Sequence, residues 1–397
     1  MNISAIKLSI ISMPLKQPFH THLGTVKERE AIIVEAIDRE GLSGFGEGVA
    51  FSSPWYTEET VATSWHVLTE FLLPLLKRNP VSHPREVFGL FSGIRRNHMA
   101  KSAIELALWD LYAKQKQVPL ARLLGAEMGS APFGTEGKSP GAERDLAGMV
   151  EKLPRVDRIP SGVVVASKDE AEALEQTAKY VEEGYQRVKV KISPANDYKL
   201  LSAIRGAFSN LPIMADANSA YSLDDAERLK VLDELNLLMI EQPLAHNDFI
   251  EHAKLQKQIS TPLCLDESIN SYSDAVMAIA FGSCRVIAVK AGKVGGLGEA
   301  VRIHDFCKAE GIPVWCGGMI EFGISRAHNI ALASLPGFTI PGDLSSSSRF
   351  WEEDIIEPEI TVEDGWISIP RAPGIGFSIN RKRLEQVTLR EEVYRFN

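Results

Sequence analysis

Polar and apolar residues alternate from residue 3 to about residue 48, through AIIVEAID, a turn at 39–41 and LSGFGEGVA, as half-buried antiparallel strands require. A small meander sheet is the expected product, and the amino terminus reads as its first strand and not as a signal peptide. Two stretches interrupt the alternation, PFHTHLGTVKERE between the first strands and AFSSPWYTEET after the sheet. Both read as exposed loops, and His20, His22, Phe51 and Trp55 on them are candidates to face a ligand. Thr57 then opens TEETVATSWHVLTEFLLPLL with a capping residue and an acidic first turn, and MAKSAIELALWDLYAKQKQ carries apolar residues at helical spacing. Residues 1–126 therefore read as an α+β unit.

From 127 to 157 the chain turns to Gly, Pro, Ser and charge, the composition of a linker or insertion. Beyond it, short apolar runs and amphipathic segments alternate with a period of about 25 residues. The runs are GVVVA, QRVKVKI, LPIMA, LLMIE, PLCLD, RVIAVK, IPVWC and FTIPGD. Eight such runs separated by helices predict a parallel sheet closed as a barrel over 158–354. The eighth is followed by LSSSSRFWEED, which has no evident helical pattern. The segment 355–397 returns to strand and turn composition and is expected to rejoin the first unit.

Length agrees with this division, since 397 residues suit a barrel of about 200 to 250 residues plus a smaller domain. No apolar run approaches the roughly 18 residues of a membrane span. The four cysteines, Cys264, Cys284, Cys307 and Cys316, stand singly, without CxxC spacing, which argues against a disulfide framework or a thiolate zinc site and suits a cytoplasmic protein. A net charge of −9 with both signs interspersed excludes the basic face that nucleic acid demands. The expected partner is a small molecule, with no membrane and no nucleic acid, and a homo-oligomer is the expected assembly.

Three of the apolar runs end in an acid: Asp216 in LPIMADAN, Glu241 in LLMIEQP and Asp266 in TPLCLDES, 25 residues apart both times. Catalytic groups of a β/α barrel stand at the carboxyl ends of its strands, so these three are expected to converge at one mouth. Bare carboxylates held together repel, and a hard divalent cation removes the conflict. Magnesium suits such oxygen ligands, and manganese is the other candidate. Asn218 and Glu267 lie beside them. Lys189 and Lys191 alternate on the second run and point to one face, the barrel interior, while Lys290 ends the sixth run on the opposite side. Cationic neighbours and a metal are expected to depress a lysine's pKa, giving a neutral amine able to take a proton.

VKVKI, MADAN, MIEQP, CLDES, VKAGKVGGL and the long WCGGMIEFGISRAHNIALASLPGFTIPGDLSSSSRFWEEDI closely resemble the o-succinylbenzoate synthase and N-acylamino acid racemase branch of the enolase superfamily. The likeness covers nearly the whole chain, including NHMAKSAIELALWDLYAK and AFSSPWYTEET. It implies a (β/α)7β TIM-like barrel under an α+β capping domain formed by the N-terminal region and the C-terminal tail. It also implies the lysine-plus-magnesium chemistry known for that superfamily, proton abstraction α to a carboxylate through an enediolate. In that likeness Lys191 is the base on one face, Lys290 the acid or base on the other and Lys189 an electrostatic neighbour. Asp216, Glu241 and Asp266 match the metal ligands, with Asn218 near them and Gly317, Gly318, Met319 and position 322 beside the substrate. Phe322 departs from the small residue usual there, and it either narrows the pocket or turns aside.

The implied reactions are dehydration to o-succinylbenzoate for menaquinone synthesis, racemisation of N-acylamino acids, or both; the lysine pair serves either. Dipeptide epimerisation fits less well, because Asp343 is followed by Leu344 and Ser345 where those enzymes carry Asp-x-Asp. Muconate cycloisomerisation matches the GGM and PGD segments less well. Outside this chemistry stand a non-catalytic ligand-binding barrel and a dinucleotide-binding oxidoreductase. The latter is suggested by AGKVGGLGEA, which lacks the GxGxxG spacing.

Overall fold

The computed structural model describes residues 1–20, 24–127, 156–167 and 169–396, with the His20 and Glu127 side chains excepted. His22 and most of the segment 127–157 lie outside the described residues.

The alternating amino-terminal pattern forms β1 (Ile3–His20), β2 (Thr25–Asp38) and β3 (Ser43–Gly48), each antiparallel to the next. The stretch PFHTHLGTVKERE is strand on both sides of its tip, with Phe19 paired to Val26 after a register shift. Its described flanks are therefore paired strand where a loop was expected, because the alternation that marks a strand is masked there by charge. The buried helix His98–Gln115 lies against β3. Contact is so close that a Cβ on Gly44 or Gly46 would come within 2.3 Å of Leu111 N or 2.2 Å of Ala103 O, which reserves both positions for glycine. The preceding helix starts later than predicted: Val61–Val67 is capped by Thr60 in a reciprocal box with Thr63, and Thr57 lies outside it.

Seven parallel strands follow: β4 (Gly162–Val165), β5 (Arg187–Lys191), β6 (Ile213–Asp216), β7 (Ile240–Glu241), β8 (Leu263–Leu265), β9 (Val286–Val289) and β10 (Val314–Cys316), hydrogen-bonded in chain order. Their burial on both faces is the reason the sequence reads as unbroken apolar runs. Helices between them begin at side-chain caps, among them Asp169, Asp248 and Ser271. The eighth run closes the ring through single bridges, Phe338 to Val314 on β10 and Gly342 to Ser161 before β4. Pro341 lacks the N–H that a continuous ladder would use at this point. Inside, Met214, Met239, Cys264, Ala288 and Trp315 form an apolar layer of the barrel, with Lys189 Nζ 5.1 Å from the Trp315 ring.

The tail crosses back, and β11 (Thr388–Arg395) pairs antiparallel with β1 on the edge of the first sheet. Buried carboxylates pin the two layers together. Glu47 on β3 accepts from Phe322 N and Ser325 N, both 2.8 Å, at the start of the barrel helix Gly323–Ala333. Asp110 accepts from Phe45 N and Ile375 N, both 2.8 Å. Among the described residues no helix is long and apolar enough to cross a membrane.

Candidate active site

The parallel register sets the floor of the site. Lys191 pairs with Asp216 and Asp216 with Glu241 across β5, β6 and β7, so the three side chains leave the carboxyl ends of neighbouring strands in one row. Asp266 follows β8. Lys191 Nζ lies 2.6 Å from both Asp216 Oδ2 and Asn218 Oδ1. Lys189, two residues deeper, meets Asp216 Oδ2 at 3.0 Å, Glu241 Oε2 at 3.1 Å and Asp343 Oδ2 at 2.5 Å. Arg187 holds the other oxygen of Asp343 at 2.8 Å.

On the far side Lys290, just past β9, donates to Asp266 Oδ2 and to Tyr56 Oη, both at 2.7 Å, and Tyr56 in turn donates to Asp266 Oδ2 at 2.8 Å. Gly317 gives the Lys290 stem its room, since a Cβ there would sit 2.5 Å from Lys290 Cε. Lys293, one turn on and 1% exposed, adds an ion pair to Asp266 Oδ1 at 3.2 Å and a bond to its carbonyl.

Burial and charge act against each other throughout this cluster. Burial alone would raise the Asp216 carboxyl, but Lys189 and Lys191 hold it at about 2. Asp266 is likewise buried, yet Lys290 and Lys293 hold it well below the usual carboxylate range. Glu241 goes the other way: burial and the neighbouring Asp216 push it well above, with Lys189 only partly opposing. Glu267 rises to about 7 by burial and the charges of Asp266 and Asp216. The expected depression does not occur at Lys189 and Lys290, where burial is overcome chiefly by Asp216 and by Asp266 respectively. Lys293, for which no depression was expected, is lowered because burial outweighs Asp266.

A hard cation suits this donor set. Glu241 is fully buried with Oε1 lacking any hydrogen-bond partner, and its carboxyl, raised first by burial and then by Asp216, is one whose charged form a cation would stabilise. Among the described residues no three acidic side chains already converge as a ligand set, because Lys189 Nζ occupies the space shared by Asp216 and Glu241.

The floor and the capping residues line a common cavity that opens to solvent. Phe51 and Trp55 line it as expected, together with Phe19, Tyr56, Asn218, Gly318 and Met319. The His20 side chain lies outside the described residues. Glu267 sits behind Asn218, accepting from its Nδ2 at 2.8 Å. Phe322 does not face substrate: it is fully buried and stacks on Trp351 with centroids 4.4 Å apart. The glycines of AGKVGGLGEA are explained without a dinucleotide. Glu105 takes the N–H groups of Leu297 and Gly298 at 2.8 Å, filling the helix start where a phosphate would bind, and Gly296 has no space for a Cβ beside it.

Sequence reasoning did not assign Lys293, the hydroxyl role of Tyr56, or Arg326 and Arg349 on the cavity wall. It also passed over Gln242, whose Oε1 accepts from Asp266 N at 3.0 Å and Ser268 N at 3.2 Å and so orients the turn after β8. Its signal was present in MIEQP, one residue after Glu241, where φ is +39°.

Residues 5–125 match the mandelate racemase / muconate lactonizing enzyme N-terminal domain family, and residues 172–383 match the enolase C-terminal domain-like family. The chain is 50% identical over 394 residues to the o-succinylbenzoate synthase of Geobacillus stearothermophilus, covering 99% of this chain and 98% of that protein. It is 42% identical over 390 residues to the N-succinylamino acid racemase of Thermus thermophilus, covering 98% of each. Its fold superposes on the crystal structure of an enolase-superfamily member from Listeria innocua with a TM-score of 0.90, at 40% identity and full coverage of both chains.

Proposed function

Because this chain belongs to the enolase superfamily, we propose that it removes a proton α to a carboxylate. In that reading it acts as an o-succinylbenzoate synthase, an N-succinylamino acid racemase, or both. The observation that carries the reading is the pair of lysines, Lys191 and Lys290, entering one cavity from β5 and from the end of β9. A neutral lysine has two N–H donors and one lone pair. Asp216 and Asn218 occupy two directions around Lys191 Nζ, which turns the third toward the cavity and equips it as the base. Asp266 and Tyr56 hold Lys290 in the same manner on the other side. Racemisation takes a proton from one face and returns one to the other; dehydration needs only the first lysine and a leaving hydroxyl.

Asp216, Glu241 and Asp266 are the residues that would hold a divalent cation, magnesium before manganese. When bound, it supplies positive charge against the substrate carboxylate. The aromatic residues of the cap exclude water from the reacting carbon and shape the space for the acyl group and side chain. The substrate is a small carboxylate, and four buried free cysteines suit a reducing cytoplasm. A dipeptide's ammonium group would have to displace Lys189 and Arg187 from Asp343, so epimerisation is disfavoured.

Two assays test the reading. With magnesium in deuterated water, N-succinylamino acids are expected to take up α-deuterium and lose optical rotation, and the hydroxylated cyclohexadiene carboxylate precursor to lose water and yield o-succinylbenzoate. Activity in the second assay without deuterium uptake in the first removes the racemase reading; silence in both removes proton abstraction altogether.

A further inference from the structure

Arg29 is a buried cation that the chemistry above leaves unused. It stands on β2, 1% exposed. Its guanidinium donates to the carbonyls of Val49 at 2.5 Å, Ala50 at 2.7 Å and Ile320 at 3.3 Å, and also to that of Glu30. Its Cζ lies 4.4 Å from the centroid of the Phe51 ring. Val49 and Ala50 lead directly into the aromatic run 51–56. Ile320 belongs to the barrel loop after β10, whose Gly318 and Met319 also face the cavity. One side chain thus holds two walls that lie about 270 residues apart in the chain.

The barrel loop needs such support. Ile320 has φ +56°, a left-handed conformation that a β-branched residue keeps only when its surroundings force it. Two neighbouring carboxylates add to the restraint. Glu321 accepts from Met319 N at 2.5 Å and from Asn329 at 2.7 Å, while Glu47 secures Phe322 N. Burial lowers the Arg29 pKa to about 10 against the fields of Glu47, Glu321 and Glu30, so it stays charged at neutral pH. The contacts use the planar fork of a guanidinium; a lysine offers one compact ammonium and cannot reach four separate carbonyls with that geometry. On the cap side the linkage continues from Phe51 to Trp55 at 4.6 Å and Tyr56 at 6.2 Å between ring centroids, and Tyr56 touches Lys290.

We propose that Arg29 is a positioning residue that clasps the aromatic loop of the cap to the 317–322 loop of the barrel, so that both walls of the cavity are set before substrate arrives. Its effect on turnover rests on the proton-abstraction reading, but its effect on the two loops does not.

The test uses the full chain with magnesium, as wild type, Arg29→Met and Arg29→Lys. Peptide-resolved hydrogen exchange is expected to accelerate together in 49–56 and 317–322 in both variants, while β5 to β9 keep wild-type protection. For α-proton exchange, KM is expected to rise and kcat/KM to fall about 100-fold, with Arg29→Lys giving little recovery. Faster exchange in only one of the two segments, in neither, or uniformly through the barrel strands overturns the clasp, as does a wild-type KM in Arg29→Lys. Should Arg29→Met not fold, Arg29→Lys, which keeps stem and charge, decides alone. If the wild-type protein exchanges no α-proton, the functional reading fails while the exchange pattern still judges the clasp.

Discussion

On the barrel side of the cavity, Lys189, Lys290, Asp216 and Asp266 are almost entirely buried and charge-paired, and Lys191, at 16% side-chain exposure, is the member that reaches furthest into the open space. On the cap side, Phe51, Trp55 and Tyr56 meet through tilted and edge contacts between 4.6 and 6.2 Å, and Tyr56 gives the wall its polar tip. The first surface is assembled on strands and held by electrostatics; the second is assembled on a loop and held by packing. Rigid strands suit groups that must meet a reacting carbon within fractions of an ångström, while a loop can vary its shape without disturbing them. On the proposed reading, reaction belongs to the floor and substrate choice to the roof.

The sharpest break in that division is Lys191→Ala. We expect loss of α-proton exchange by about 1,000-fold or more, as removal of a positioned general base costs at most sites, with magnesium binding by calorimetry little changed. Retention of more than a few percent of the rate removes Lys191 as the base. Asp216→Asn comes next. It is expected to weaken magnesium at least as much as the roughly 100-fold that loss of an outer-shell partner costs. Chelation of the wild-type protein should abolish turnover, with return on added magnesium. Unchanged metal affinity in the variant would mean that the cation is held elsewhere. Trp55→Ala tests the roof: the ratio of kcat/KM between N-succinylamino acids with small and large side chains is expected to change about 10-fold. A uniform loss across substrates would instead assign Trp55 to the chemistry.

The two surfaces also differed in how far they could be read from residues alone. The places of Asp216, Glu241 and Asp266 at the ends of neighbouring strands were legible because each barrel unit repeats one strand and one helix, which turns equal spacing in the chain into adjacency in space; their convergence as a ligand set was an expectation, and Lys189 lies between Asp216 and Glu241. Lys189 and Lys191 were legible because a strand's period of two puts both on one face. The roof had no such periodicity. Tyr56 acquires its role from Asp266, 210 residues away, and no local pattern encodes that meeting. Lys293 stood inside a quoted motif, but its burial against Asp266 depends on the turn after β9. Thr57 and Thr60 are equally good caps on paper, and Thr60 wins through its reciprocal bonds with Thr63. The eighth barrel strand was visible as an apolar run, yet Pro341 limits it to bridges.

Phe322 gives the finest test of the contrast. It stands in the same motif as Gly318 and Met319, which face the cavity, and a reading by proximity in sequence places it there too. Its backbone N–H is fixed by Glu47 of the cap, and the ring is drawn onto Trp351, so its place is in the packing between the two layers. Phe322→Leu should therefore lower stability by about 1 kcal/mol, in the range of imperfectly matched core replacements, seen as a fall in the urea midpoint. Ratios of kcat/KM across acyl groups and side chains should stay at wild-type values. A change in those ratios larger than the one produced by Trp55→Ala would put Phe322 on the substrate wall after all and move part of the selection from the roof to the barrel.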